Sequence, residues 1–66
     1  MSSLGEEYPK EQKRIRELIK EYAAIGAPGR FGLAILKDVL RRADAAVAAQ
    51  DTVEMIKCYQ EMKGCS

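Results

Sequence analysis

The side chains best placed to do chemistry are basic and close together: Lys10, Lys13, Arg14, Arg16 and Lys20. At helical spacing Lys13, Arg16 and Lys20 share one face, and Lys10 and Arg14 share another. Arg41 and Arg42 lie on a second segment and can widen the same surface. A patch of this kind neutralises phosphates or meets an acidic partner. Glu11, Glu17 and Glu21 are interleaved with it, however, and Lys13–Glu17 fits an ordinary intrahelical pair. No exposed aromatic side chains punctuate the charges to stack bases. An ordinary solvated face is therefore the first reading of the cluster, and a nucleic-acid surface the second.

Other chemistries have less behind them. The chain has no His, the commonest general base near neutral pH. Its two cysteines, Cys58 and Cys65, lack the four-ligand spacing of a zinc site. If both are helical, a rise of ~1.5 Å per residue sets them about 10 Å apart, too far for a disulfide. Cys65, close to a helix C-terminus, is poorly placed to become a thiolate. Cys58 reads as a small residue at the edge of an apolar stripe. Glu6 and Glu7 are adjacent carboxylates in what reads as a loose tail. Gly26, Gly29 and Gly32 precede a helix, but no strand leads in and no Gly-Lys-Ser/Thr comes after, so they resemble no phosphate loop. The expectation is a protein that is not an enzyme and holds no metal and no cofactor.

The elements that must position these residues can be read from apolar spacing. The chain is 66 residues long with a formal net charge of +1, and 32% of its residues are charged. That length allows one domain, with a core so small that it needs tight helix packing or self-association. The balanced charge advertises no polyanion partner, and no apolar run approaches the length of a bilayer span. Two cysteines and no signal peptide suit the cytoplasm.

Residues 1–7 read as a flexible tail. Pro9 suits the first position of a helix, and Ile15, Leu18, Ile19, Tyr22 and Ile25 succeed it at spacings of three and four. Gly26 supplies the stop and Pro28 prevents continuation. A second helix is expected over about 29–49, with a broad stripe formed by Phe31, Leu33, Ile35, Leu36, Val39, Leu40, Ala43, Ala46 and Val47. Continuing that stripe lands on Gln50, Glu54, Lys57 and Glu61, all polar, so the phase shifts near Gln50. Asp51-Thr52-Val53-Glu54 has the pattern of a capping box. It predicts a third helix over about 52–63, with Val53, Ile56 and Tyr59 inward and Met55 and Met62 beside them. One long kinked helix is the alternative. The fold class is all-α: a helical hairpin with a shorter C-terminal helix, a small three-helix bundle, with residues 65–66 as its end.

Two resemblances accompany this reading. Asp51 to Met62 looks like the second helix of a tetratricopeptide repeat, with Asp51, Ile56 and Tyr59 matching in kind. Met55 and Met62 fall where that repeat wants small residues, and a single unit lacks the neighbours that repeats need. This is a shared helix-hairpin solution rather than kinship. Taken whole, the chain resembles short proteins of unassigned activity encoded in tailed bacteriophages and prophages. The residues that carry it are Tyr8-Pro9, Ile15, Leu18, Glu21-Tyr22, Ile25-Gly26, Phe31-Gly32, Arg42 to Ala49, Tyr59 and Lys63-Gly64-Cys65. The resemblance implies a bacterial or phage origin and no particular activity.

The preferred expectation is a small interaction or assembly module that self-associates or docks on a protein partner. Phe31, Ile35, Val39, Met55 and Met62 are the candidate apolar interface. The alternative is a nucleic-acid-associated accessory protein, such as a helical hairpin dimer of the Rop kind, that uses the basic face of the first helix.

Overall fold

In the computed structural model, which describes residues 3–65, the chain forms three α-helices: α1 (Leu4–Ile25), α2 (Arg30–Ala48) and α3 (Thr52–Gly64). A short 3₁₀ turn, Ala27–Gly29, joins the first two. The all-α hairpin with a shorter third helix is the architecture that the apolar spacing predicts.

The N-terminus differs from the expected tail. α1 begins at Leu4, five residues before Pro9. Ser3 caps it, its side-chain oxygen accepting from the Glu6 amide at 3.3 Å. Glu6 and Glu7 then lie in the first turn, where carboxylates oppose the positive end of the helix dipole. Pro9 lies inside the second turn, where the helix forgoes the amide that would reach the Gly5 carbonyl. What draws the segment into the helix is Tyr8. Its ring is buried in the core, and its hydroxyl donates to the Ala43 carbonyl of α2 at 2.9 Å. Met1 and Ser2 of the expected tail lie outside the described residues.

The first corner closes around glycine. Gly26 has φ 86°, a conformation that side chains disfavour. At Gly32, a β-carbon would stand 2.5 Å from the Tyr22 ring. The missing side chain thus lets that ring lie directly on the α2 backbone.

The second corner confirms the phase shift near Gln50. The Asp51 amide donates back to the Ala46 carbonyl and the Gln50 amide to the Val47 carbonyl, each at 3.0 Å. This pairing closes the C-terminus of α2 as a Schellman motif, with Gln50 at the position usually held by glycine. Gln50 accordingly has φ 54°. The Asp51 side chain accepts from the Glu54 amide at 3.2 Å and starts α3. Gln50→Gly is expected to stabilise the fold by about 0.5–1 kcal/mol, because the left-handed conformation is relieved at a solvent-exposed residue. Urea denaturation followed by circular dichroism checks it.

The core is Tyr8 and Ile15 from α1, Leu36, Val39 and Ala43 from α2, and Cys58 and Met62 from α3. α3 is therefore rotated relative to its expected face. Met55, Cys58 and Met62 point inward, whereas Val53 and Ile56 are 64% and 45% exposed. Periodicity alone permits either face. The inward set suits a narrow interior in which Tyr8 already takes much of the space, since Cys58 is small and methionine adapts to irregular gaps.

Candidate interaction surface

The basic cluster is mostly committed to the chain's own architecture. Arg14 projects from the middle of α1 to the end of α3. It donates to the Met62 carbonyl, to the Cys65 carbonyl at 2.9 Å, and to Glu11 at 2.6 Å. Those carbonyls lie at the end of α3, where Met62 also accepts from the Cys65 amide at 3.1 Å and few further amides remain. Arg16 pairs with Asp44 of α2 at 3.2 Å, and Gln12 donates to the same carboxylate at 2.6 Å. Lys10 stands 3.6 Å from Glu7. Arg41 and Arg42 both bind Asp38, at 2.7 and 3.0 Å, and Arg42 crosses to Glu61 of α3 at 2.7 Å.

These pairs move the affinities for protons as expected. Hydrogen bonds from Arg41 and then Arg42 hold the Asp38 carboxyl below its ordinary range. The bond to Glu61 raises the already high pKa of Arg42. Lys13 and Lys20 alone of the cluster make no ion pair among the described residues. The structure thus scatters most of the predicted basic surface into helix-to-helix and intrahelical contacts.

The expected apolar interface divides in two. Val39 and Met62 are corrected: both are buried in the chain's own core, because α3 covers that side of α2. Met55 is half-buried against the same core. Phe31 and Ile35, one turn apart on α2, remain 80% and 48% exposed. Ile25, at the end of α1, joins them at 59%. Its β-carbon is 3.5 Å from where one would sit on Gly29, two residues before Phe31.

Helix length explains this opening. α3 runs back along α2 from the Gln50 corner but has 13 residues against 19. α3 is thus six residues shorter, and its end, Gly64 and Cys65, reaches the level of Gly32 and Ile35 without covering Phe31. At the uncovered end lies an open depression of about 240 Å³, lined by Tyr22, Gly32, Ile35, Leu36, Gly64 and Cys65. A second depression, of about 200 Å³, lies at the opposite end between Arg42, Ala45, Ala46, Ala49, Asp51 and Glu54. Charged groups rim that one, and no exposed large apolar side chain belongs to it. Tyr22, Gly32 and Cys65 were missing from the expected surface. The close Gly32–Tyr22 packing that forms its floor depends on the fold and has no signature in spacing.

Among the described residues, no group of three or more His, Cys, Asp or Glu side chains gathers to hold a metal ion. No described helix is long and apolar enough to cross a membrane. No protein-family model, curated protein or solved structure matches the chain. It is a small all-helical domain whose most distinctive surface is the apolar end at Phe31.

Proposed function

We propose that the protein is a small non-enzymatic interaction module and that the Ile25–Phe31–Ile35 end is its docking surface. The exposure of Phe31 carries this reading. It is the single phenylalanine of the chain, yet it is 80% exposed beside a depression while Tyr8, Ile15, Leu36 and Met62 fill the core. In a chain this short, leaving an aromatic ring wet forgoes about 1.5–3 kcal/mol of burial. A partner surface recovers that energy, and rings of this kind anchor interfaces.

The resemblance to phage and prophage proteins makes a bacterial cytoplasm the setting in which to test the module. A photo-crosslinking phenylalanine analogue at position 31, expressed in bacteria, is expected to yield one discrete crosslinked product. The same analogue at Lys57, on the exposed outer side of α3, is expected to yield none. Equal labelling at both positions, or no product at position 31, would refute the docking surface.

A nucleic-acid role is the weaker reading. Two unpaired lysines, Lys13 and Lys20, support a salt slope of only about −1.8 if each meets a phosphate. That is too shallow for tight binding at ordinary ionic strength.

A further inference from the structure

The geometry points to a second copy of this chain as the occupant of the Phe31 end, bound about a two-fold axis so that each Phe31 enters the other's depression. This assignment rests on the reading of that end as a docking surface. Three observations select a second copy over an unrelated partner.

First, a projecting ring and an unfilled hollow lie side by side on one face. Phe31 stands one turn before Ile35, which lines the hollow, and adjoins Gly32, which floors it. A two-fold axis between them fills both hollows with both rings in a single contact, as self-complementary dimers require.

Second, the area suffices. Ile25, Phe31 and Ile35 together expose roughly 350–400 Å² of apolar surface. An ordinary interface buries about 800 Å² per partner, a little over half of it apolar, or about 450 Å². The exposed part of half-buried Tyr22, which lines the hollow, extends that area toward the same figure.

Third, opposite charges flank the patch. Glu21 lies one turn before Ile25 on α1, and Arg30 precedes Phe31 on α2. Both are exposed, and neither makes an ion pair among the described residues. A two-fold axis brings each Arg30 toward the Glu21 of the other copy. The other exposed apolar pair, Val53 and Ile56 on α3, adjoins Glu54 of the second depression, but Arg42, Asp51 and Glu54 make that rim charged, unlike the apolar rim at Phe31.

The test is sedimentation equilibrium of the purified full chain from about 10 µM to about 1 mM. The mass is expected to rise to twice the 7.3 kDa of the monomer. Phe31→Ser should weaken association by about 10²–10³-fold, since the symmetry removes both rings at once. Ile35→Lys should do the same by a different chemistry. Thermal unfolding of both variants, expected to keep the wild-type midpoint at low concentration, separates lost association from lost folding. Glu21→Arg and Arg30→Glu should each weaken the dimer about tenfold, and together they should restore it. Alkylation of Cys65, which lines the hollow, should slow as the dimer forms, with buried Cys58 as the unreactive control.

A monomer throughout the range, a dimer indifferent to Phe31→Ser and Ile35→Lys, or a double charge swap that fails to restore association would each overturn the assignment. The crosslink at position 31 separates the two levels. A product heavier than two chains, with the purified protein monomeric, keeps the docking surface and removes the second copy. No product removes both.

Discussion

Tyr8→Ala is expected to cost about 3–5 kcal/mol, the largest effect of any single truncation in this chain. A domain of this size has about 3–10 kcal/mol in total, so the variant is expected to be largely unfolded at 37 °C. The ring is almost wholly buried between the start of α1 and the middle of α2, and its hydroxyl reaches the Ala43 carbonyl. Truncation leaves a cavity against Cys58 and removes the reason for residues 4–7 to be helical. Urea denaturation measures the loss. Tyr8→Phe keeps the ring and should cost only about 1 kcal/mol, because Ala43 retains its intrahelical amide.

The two Tyr8 variants also differ in their response to alkali. Burial, then the neighbouring Cys58, pushes the Tyr8 hydroxyl from 10.0 up to about 12. Between those values the unfolded chain has given up the proton while the folded chain keeps it. Stability from this group is therefore complete below pH 10 and is lost as pH rises toward 12. Tyr8→Phe should flatten that part of the profile. Cys58, raised from 9.0 chiefly by burial and then by Glu54, loses stability in the same direction. A residual alkaline slope is therefore expected in the Phe variant and should shrink further in Tyr8→Phe/Cys58→Ala.

Arg14→Met should cost about 2 kcal/mol and act on a helix distant in sequence. The substitution keeps an apolar stem of similar length but deletes the donors to Met62 and Cys65. Charge-assisted bonds to carbonyls are worth about 1.5–3 kcal/mol each where buried, and the half-exposed guanidinium realises only part of that. The last turn of α3 is expected to fray, so its amides should exchange faster and Cys65 should alkylate faster. Arg14→Lys should rescue little, because one ammonium cannot span two carbonyls as the planar fork does. Unchanged exchange in α3 would mean that Glu11, not the helix end, is the partner that matters.

Local chemistry made both corners of the hairpin legible. Gly26 is the only backbone conformation of its kind among the described glycines, and the Asp51-to-Glu54 cap announces itself by spacing. Ser3 was masked as a cap by its downstream neighbours, since Gly5 and Pro9 both argue against a helix and only the burial of Tyr8 overrides them. The face of α3 was ambiguous because Val53–Ile56 and Met55–Cys58–Met62 are both apolar at helical spacing. The basic residues were legible as charge but not as contacts. Arg14 and Met62 are 48 residues apart, and Arg16 and Asp44 are 28. Of the residues on the expected interface, Phe31 and Ile35 are exposed. Val39 and Met62 were on it because pattern alone does not show where α3 stops.

The shortness of α3 also decides how the chain can be handled. Ser3 begins α1 at the end of the bundle where Tyr8 meets Ala43, whereas Cys65 borders the hollow beside Phe31. A fluorescent protein or affinity handle fused after Cys65 would stand over the Phe31 end and mask it. The same handle fused ahead of Ser3 would project from the far end and leave it open. Comparing the two fusions side by side gives a first reading of that surface before any residue is changed.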